Sequence, residues 1–140
     1  MKKSLLVVFS VLTLSLSYAQ TEKAWKPFNG KDVKVTKSVE RSLFPSTFKL
    51  MQLDVTVLKN TLLTAPNHLG SEVSTVIITI PNAAGNLERF EVYEASNFDT
   101  ELQAQYPEIR SYVGTGIDDK HATLRMSLDP RGIQTMVFRA

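Results

Sequence analysis

The chain has 140 residues, 16 of them basic and 14 acidic, with 43% hydrophobic content and no cysteine. That length supports one domain with an ordinary hydrophobic core, and the missing cysteines exclude a disulfide framework, a thiolate metal site and a thiol nucleophile. Two of the basic residues, Lys2 and Lys3, belong to an N-terminal leader, so the remainder carries fourteen charges of each sign and gives no global electrostatic case for nucleic-acid binding.

Residues 1–19 read as a secretory signal peptide. Lys2 and Lys3 precede an apolar run from Leu5 to Leu16, and Ser17-Tyr18-Ala19 places small residues where a signal peptidase reads them, with the cut expected between Ala19 and Gln20. The run is shorter than the ~18 apolar residues that a membrane span wants. An exported, extracellular product with no membrane attachment after cleavage is expected.

Residues 20–46 form a basic, weakly structured lead-in arm. From Glu22 to Lys49 there are seven basic and three acidic residues, against seven and eleven from Leu50 to Ala140. Such an arm is suited to its own acidic body or to an acidic partner surface, although a solvated lead-in is the simpler reading. Trp25, Phe28 and Phe44 punctuate it, and Val33 and Val35 alternate as in a short strand. Aromatic residues in such a stretch ordinarily tuck against their own domain.

The third segment, residues 47–140, carries the fold. Phe48 to Leu53 alternates as a strand, Asp54 stands at an N-cap, and Val55, Leu58, Leu62 and Leu63 follow at helical spacing until Pro66. The nearly continuous run Val76–Ile80 predicts a central strand, and the breaker-rich Pro81–Asn86 a hairpin turn. Leu87–Glu94 alternates, with Leu87, Arg89, Glu91 and Tyr93 on one face and Glu88, Phe90, Val92 and Glu94 on the other. Asp99 caps a short helix through Gln105, which Pro107 ends. Ile109–Val113 predicts a strand and Gly114-Thr115-Gly116 a sharp bend. Leu124, Met126 and Leu128 alternate with polar neighbours, Asp129-Pro130-Arg131-Gly132 has the make-up of a type I turn, and Ile133–Phe138 returns. The expected class is α+β: a mainly antiparallel sheet with one or two short helices packed on it. The strong strand pattern at Gln134–Phe138, two residues before Ala140, leads us to expect an incomplete domain, the N-terminal part of a longer precursor.

The search for chemistry is negative. A zinc-protease signature needs two histidines one helical turn apart with a glutamate between, and the two histidines, His68 and His121, stand alone. His121 beside Asp118-Asp119-Lys120 has the make-up of a pH sensor, but a surface histidine is the simpler reading. Asp118-Asp119 is no calcium loop, because that needs oxygen ligands at several alternating positions; a solvated turn outweighs it and outweighs a reach to the zinc of another domain. Gly114-Thr115-Gly116 lacks the lysine and helix of a phosphate loop, and no serine sits in a nucleophile elbow. No catalytic, cofactor-binding or metal-binding residue is assigned, and this chain alone is not expected to be an enzyme.

One linear pattern does carry information. ERFEVYEAS, AQYPEIRSYVGTGIDD and the strand pair around Asp129–Gly132, within Leu87–Phe138, together with LDVTVLKNTLLTAPNH upstream, resemble the propeptide region of secreted bacterial reprolysin-like zinc metalloproteases. The similarity runs from Phe48 to Ala140 and contains no catalytic residue. It implies a zymogen segment that assists folding of, and masks, a catalytic domain lying beyond residue 140 in the same precursor, with zinc belonging to that absent domain. That catalytic domain is the implied partner, in cis. Without cysteine, masking cannot use a thiolate on the zinc. The contact surfaces expected are the basic arm and the exposed face of Leu87–Glu94. The alternative reading is a stand-alone secreted β-rich binding or adhesion module, with Trp25, Phe28, Phe44 and Phe98 facing a protein or glycan.

Overall fold

The computed structural model describes residues 24–28 and 48–140. The leader, most of the arm, the Val33–Val35 strand and Phe44 lie outside the described residues. Strand β1 (Trp25–Pro27) pairs antiparallel with β2 (Met51–Leu53), matching Trp25 to Leu53. Three residues assigned to the lead-in are therefore part of a sheet, and the strand expected from Phe48 begins only at Met51. Asp54 then caps helix α1 (Val55–Leu62), accepting hydrogen bonds from the backbone N–H of Thr56 and Val57 at 3.1 Å each. The helix buries Leu58 and Leu62. Leu63, expected on the same stripe, is the C-cap residue and is 62% exposed.

A five-stranded antiparallel sheet follows: β3 (Ile77–Pro81), β4 (Leu87–Glu94), β5 (Arg110–Gly116), β6 (Thr123–Asp129) and β7 (Gly132–Phe138), ordered as they occur in the chain. This is the α+β, mainly antiparallel architecture that the alternating patterns imply. Helix α2 (Thr100–Gln105) connects β4 to β5, capped by Asp99, and buries none of its residues. Only α1 is laid against the core. Among the described residues no helix is long and apolar enough to cross a membrane.

One face of the sheet carries Ile78, Ile80, Phe90, Val92, Tyr112, Leu124, Met126 and Leu128, all buried. Leu58, Leu62 and Ala65 join them, with Trp25, Leu53 and Val57 packed at the margin. Burial pushes the Tyr112 hydroxyl up to about 12, and the neighbouring Glu94 carboxylate adds to that rise. Strands β3 and β7 line a common hollow through Ile80, Pro81, Thr135 and Val137. The sheet is curled, as an open twisted sheet of five strands tends to be.

Two further expectations fail. β3 is an edge strand, not a central one: its free side is met by β1, and the Trp25 indole N–H donates to the Thr79 carbonyl at 2.7 Å. A nearly continuous β-branched run suggests cover on both faces, but within β3 only Ile78 and Ile80 are buried and Ile77 is 38% exposed, so β3 is covered on one face. Gly114-Thr115-Gly116 does not bend. It is the last part of β5, with Gly114 opposite Leu124 and Thr115 opposite Thr123. These glycines serve close approach: a Cβ on Gly114 would lie 3.0 Å from Val92 Cγ1, and one on Gly116 would lie 2.1 Å from the Asp119 carbonyl oxygen. Glycine is needed for space, not for a left-handed conformation. The turn Pro130-Arg131 is where the sequence places it, with the Asp129 carboxylate accepting from the N–H of Arg131 and Gly132.

Candidate interaction surface

The chemistry-bearing residues are held apart. His68 follows α1, its N–H bonded to the Glu94 carbonyl at 2.7 Å and its ring edge-on to Tyr93 at 5.8 Å. His121 lies in the β5–β6 loop beside Asp119. Glu94 closes β4 at one end, while Phe90, near the other, pairs with Gly116 at the start of that loop, so the two histidines flank opposite ends of the strand. Among the described residues no group of three or more His, Asp or Glu side chains is placed to hold a metal.

Asp118 and Asp119 do not form a paired carboxylate site either. Asp118 receives the Arg89 backbone N–H at 2.8 Å and the guanidinium at 2.6 Å and 3.0 Å. Asp119 accepts the His121 N–H at 3.0 Å and the Arg139 guanidinium at 2.8 Å, and Arg139 also reaches Glu88. These contacts tie the β5–β6 loop and the residue after β7 to β4. The side chains are partly solvated, so water and salt screen these pairs.

Their pH behaviour has a definite sign. The Asp118 carboxyl is held below its ordinary value by the Arg89 guanidinium and N–H, and Asp119 by the His121 N–H and then Arg139. Glu88 is lowered first by the Asn82 side-chain amide and then by Arg139, and Asp129 first by Arg131. A carboxylate depressed in the folded state adds stability above its unfolded value, near 4, and loses it as pH falls through the folded value. The expected result is a urea midpoint insensitive to these groups from pH 8 to 5 and falling below about pH 4. Asp118→Asn should flatten part of that fall; an unchanged slope would show that the Arg89 contact contributes nothing.

The face of β4 expected as a contact surface is the solvent side of the sheet. Leu87, Arg89, Glu91 and Tyr93 share it, but Arg89 is tied to Asp118, and the Tyr93 hydroxyl is engaged by Glu91 and by the Ser74 N–H. Little of its charge is free. The remaining features gather at the other end of the sheet, around β7. This strand ends the sheet, and Met136 and Phe138 are 58% and 53% exposed. A hollow of about 380 Å³ on the solvent side is lined by Arg125, Ser127, Gln134 and Met136. A second of about 480 Å³, on the core side, is lined by Ile80, Pro81, Thr135 and Val137. Sequence reasoning passed over this edge. The signal present was the absence of any charge or proline across Gly132–Phe138.

Comparison with family models, curated proteins and solved structures finds no match to this chain.

Proposed function

We propose that this chain is the propeptide region of a secreted zinc metalloendopeptidase precursor, assisting the folding of a catalytic domain and masking its cleft. The observation that carries this reading is the resemblance of Leu87–Phe138 to such propeptides. That tract coincides with one continuous structural unit, β4-α2-β5-β6-β7. The matching stretches fall on β4, on β5 with the residues before it, and on the β6–β7 pair, four of the five strands of the sheet. The β7 edge, with hollows on both sides, gives the unit a surface suited to another polypeptide. Chemistry would reside in the catalytic domain, and this unit would contribute contact area and a fold to build on.

The test is to titrate the purified chain into the reprolysin-like endopeptidase encoded with it and follow peptide hydrolysis. Inhibition saturating near one equivalent is the expected outcome, together with a raised yield of active enzyme on refolding in its presence. Full protease activity at saturating chain would remove the masking role, and an unchanged refolding yield would remove the assisting one. If both fail, the stand-alone binding module becomes the better account.

A further inference from the structure

The two edges of the five-stranded sheet are treated differently. At β3, the strand ends in Pro81, β1 lies alongside, and the Trp25 indole occupies the Thr79 carbonyl. At β7, no strand among the described residues lies beyond it. Exposed edges are ordinarily blunted by shortness, lysine, proline or a bulge. β7 is seven residues long and has neither charge nor proline.

The register identifies which backbone groups are free. The Gly116 N–H donates to the Ala122 carbonyl at 2.9 Å, so this is a hydrogen-bonded pair, and by alternation Leu124, Met126 and Leu128 also bond towards β5. Thr123, Arg125, Ser127 and Asp129 then bond towards β7, opposite Phe138, Met136, Gln134 and Gly132. Ile133, Thr135 and Val137 are left with their N–H and C=O aimed out of the edge.

The flanking side chains select the occupant. Five arginines fall among the described residues: Arg89, Arg110, Arg131 and Arg139 are in ion pairs, and Arg125 is in none. Arg125 lies directly opposite Met136 and lines the solvent-side hollow with Ser127 and Gln134. A strand added outside β7 would lie about 10 Å from β6, two strand spacings. That is within the combined reach of an arginine and a glutamate side chain. The core-side hollow is lined by Ile80, Pro81 and Val137, and its charged margin, Glu88 with Arg139, is already engaged. Successive side chains of an added strand point alternately to the two hollows.

We infer that β7 is a docking edge for an extended segment of a partner polypeptide, carrying acidic side chains on one face for Arg125 and apolar side chains on the other. Three backbone residues supply the ladder, and the two hollows supply the selectivity, as in recognition by strand addition. A second copy of this chain is disfavoured as occupant: β7 contains no acidic residue, so β7-to-β7 pairing would leave both Arg125 side chains without a carboxylate. The inference stands on the sheet edge and goes beyond the propeptide reading; its test involves no protease, so the two fail separately.

The probe is a fluorescein-labelled eight-residue peptide alternating valine and glutamate, with an otherwise identical valine–lysine peptide as control. Binding to the full chain is read by fluorescence anisotropy. The valine–glutamate peptide should bind, weaken with added salt, and outcompete the lysine control by tenfold or more. Thr135→Pro removes an outward donor while leaving the ladder to β6 intact, because proline is tolerated on the free side of an edge, and should weaken binding at least tenfold. Arg125→Glu, at an exposed position outside the core, should weaken it fivefold or more with the fold unchanged by circular dichroism. Equal binding of the lysine peptide, no binding of either, or indifference to Thr135→Pro would overturn the inference. So would a concentration-dependent dimer, seen by analytical ultracentrifugation, that Thr135→Pro dissolves and the peptide cannot displace, since the edge would then belong to a second copy.

Discussion

Phe90→Ala is expected to lower the unfolding free energy by about 3–5 kcal/mol, the range for emptying a buried aromatic site. Phe90 is 1% exposed and sits on β4 between Ile78 of β3 and Gly116 of β5, on the core face. Its position makes the loss large. Neighbours on both sides are held by backbone ladders, and one of them is a glycine with no side chain to fill the space, so the cavity cannot close without bending the sheet. Phe138→Ala is the matched control. The residue type is the same, but at 53% exposed it should lose under about 1 kcal/mol. Urea denaturation of both variants checks the pair, and equal losses would mean that the burial described for β4 is wrong.

Gly116→Ala is expected to cost about 3 kcal/mol, at the upper end of what overpacking does. The new Cβ would fall 2.1 Å from the Asp119 carbonyl oxygen and 3.1 Å from Ala122 Cβ. A side-chain tip can swing aside, but this obstacle is backbone. Moving it disturbs the Gly116–Ala122 hydrogen bond and the loop that presents Asp119 to Arg139 and His121. Gly114→Ala should cost less, because its Cβ would meet Val92 Cγ1 at 3.0 Å and the Glu91 oxygen at 3.1 Å, which a few tenths of an ångström relieve. The ranking is the test. If Gly114→Ala proves the more damaging variant, the loop is more pliable than its contacts imply.

These variants and the surface experiments divide the molecule in two. Phe90, Gly116 and the core face decide whether the sheet forms, whereas Arg125 and Thr135 lie outside it and bear on what the sheet meets. Stability and partner binding should therefore be separable here, because the proposed docking groups are an exposed guanidinium and outward-facing backbone atoms that the fold does not use.

Much of the local structure could be read without coordinates. Alternation put Phe90 and Val92 of β4 on one face together, and set Leu124, Met126 and Leu128 of β6 apart from their polar neighbours, since successive strand side chains point to opposite sides; all five are buried. Asp54 and Asp99 marked the two helix starts because a short carboxylate can accept the first free N–H groups. The turn between β6 and β7 followed from Asp129, Pro130 and Gly132. All of these are properties of a residue and its near neighbours, and they persist whatever lies across the sheet.

Strand order, clearance and pairing of charges are not of that kind, and only the tertiary structure decided them. Val76–Ile80 looked central because an apolar run suggests cover on both faces, yet Ile77 is exposed, and nothing in the run says that its free edge is met by β1 and the Trp25 indole. Gly114 and Gly116 looked like a bend because glycine permits one, whereas their role depends on Val92 and Asp119, which the fold brings to them. Arg125 looked like any polar residue on an exposed face. That it alone among the described arginines lacks a carboxylate, beside an uncharged open edge, follows from where Asp118, Glu94, Asp129, Glu88 and Asp119 come to rest. Periodicity reports a residue's own burial, but the identity of its neighbour is set by contacts between distant segments, and those exist only in the folded chain.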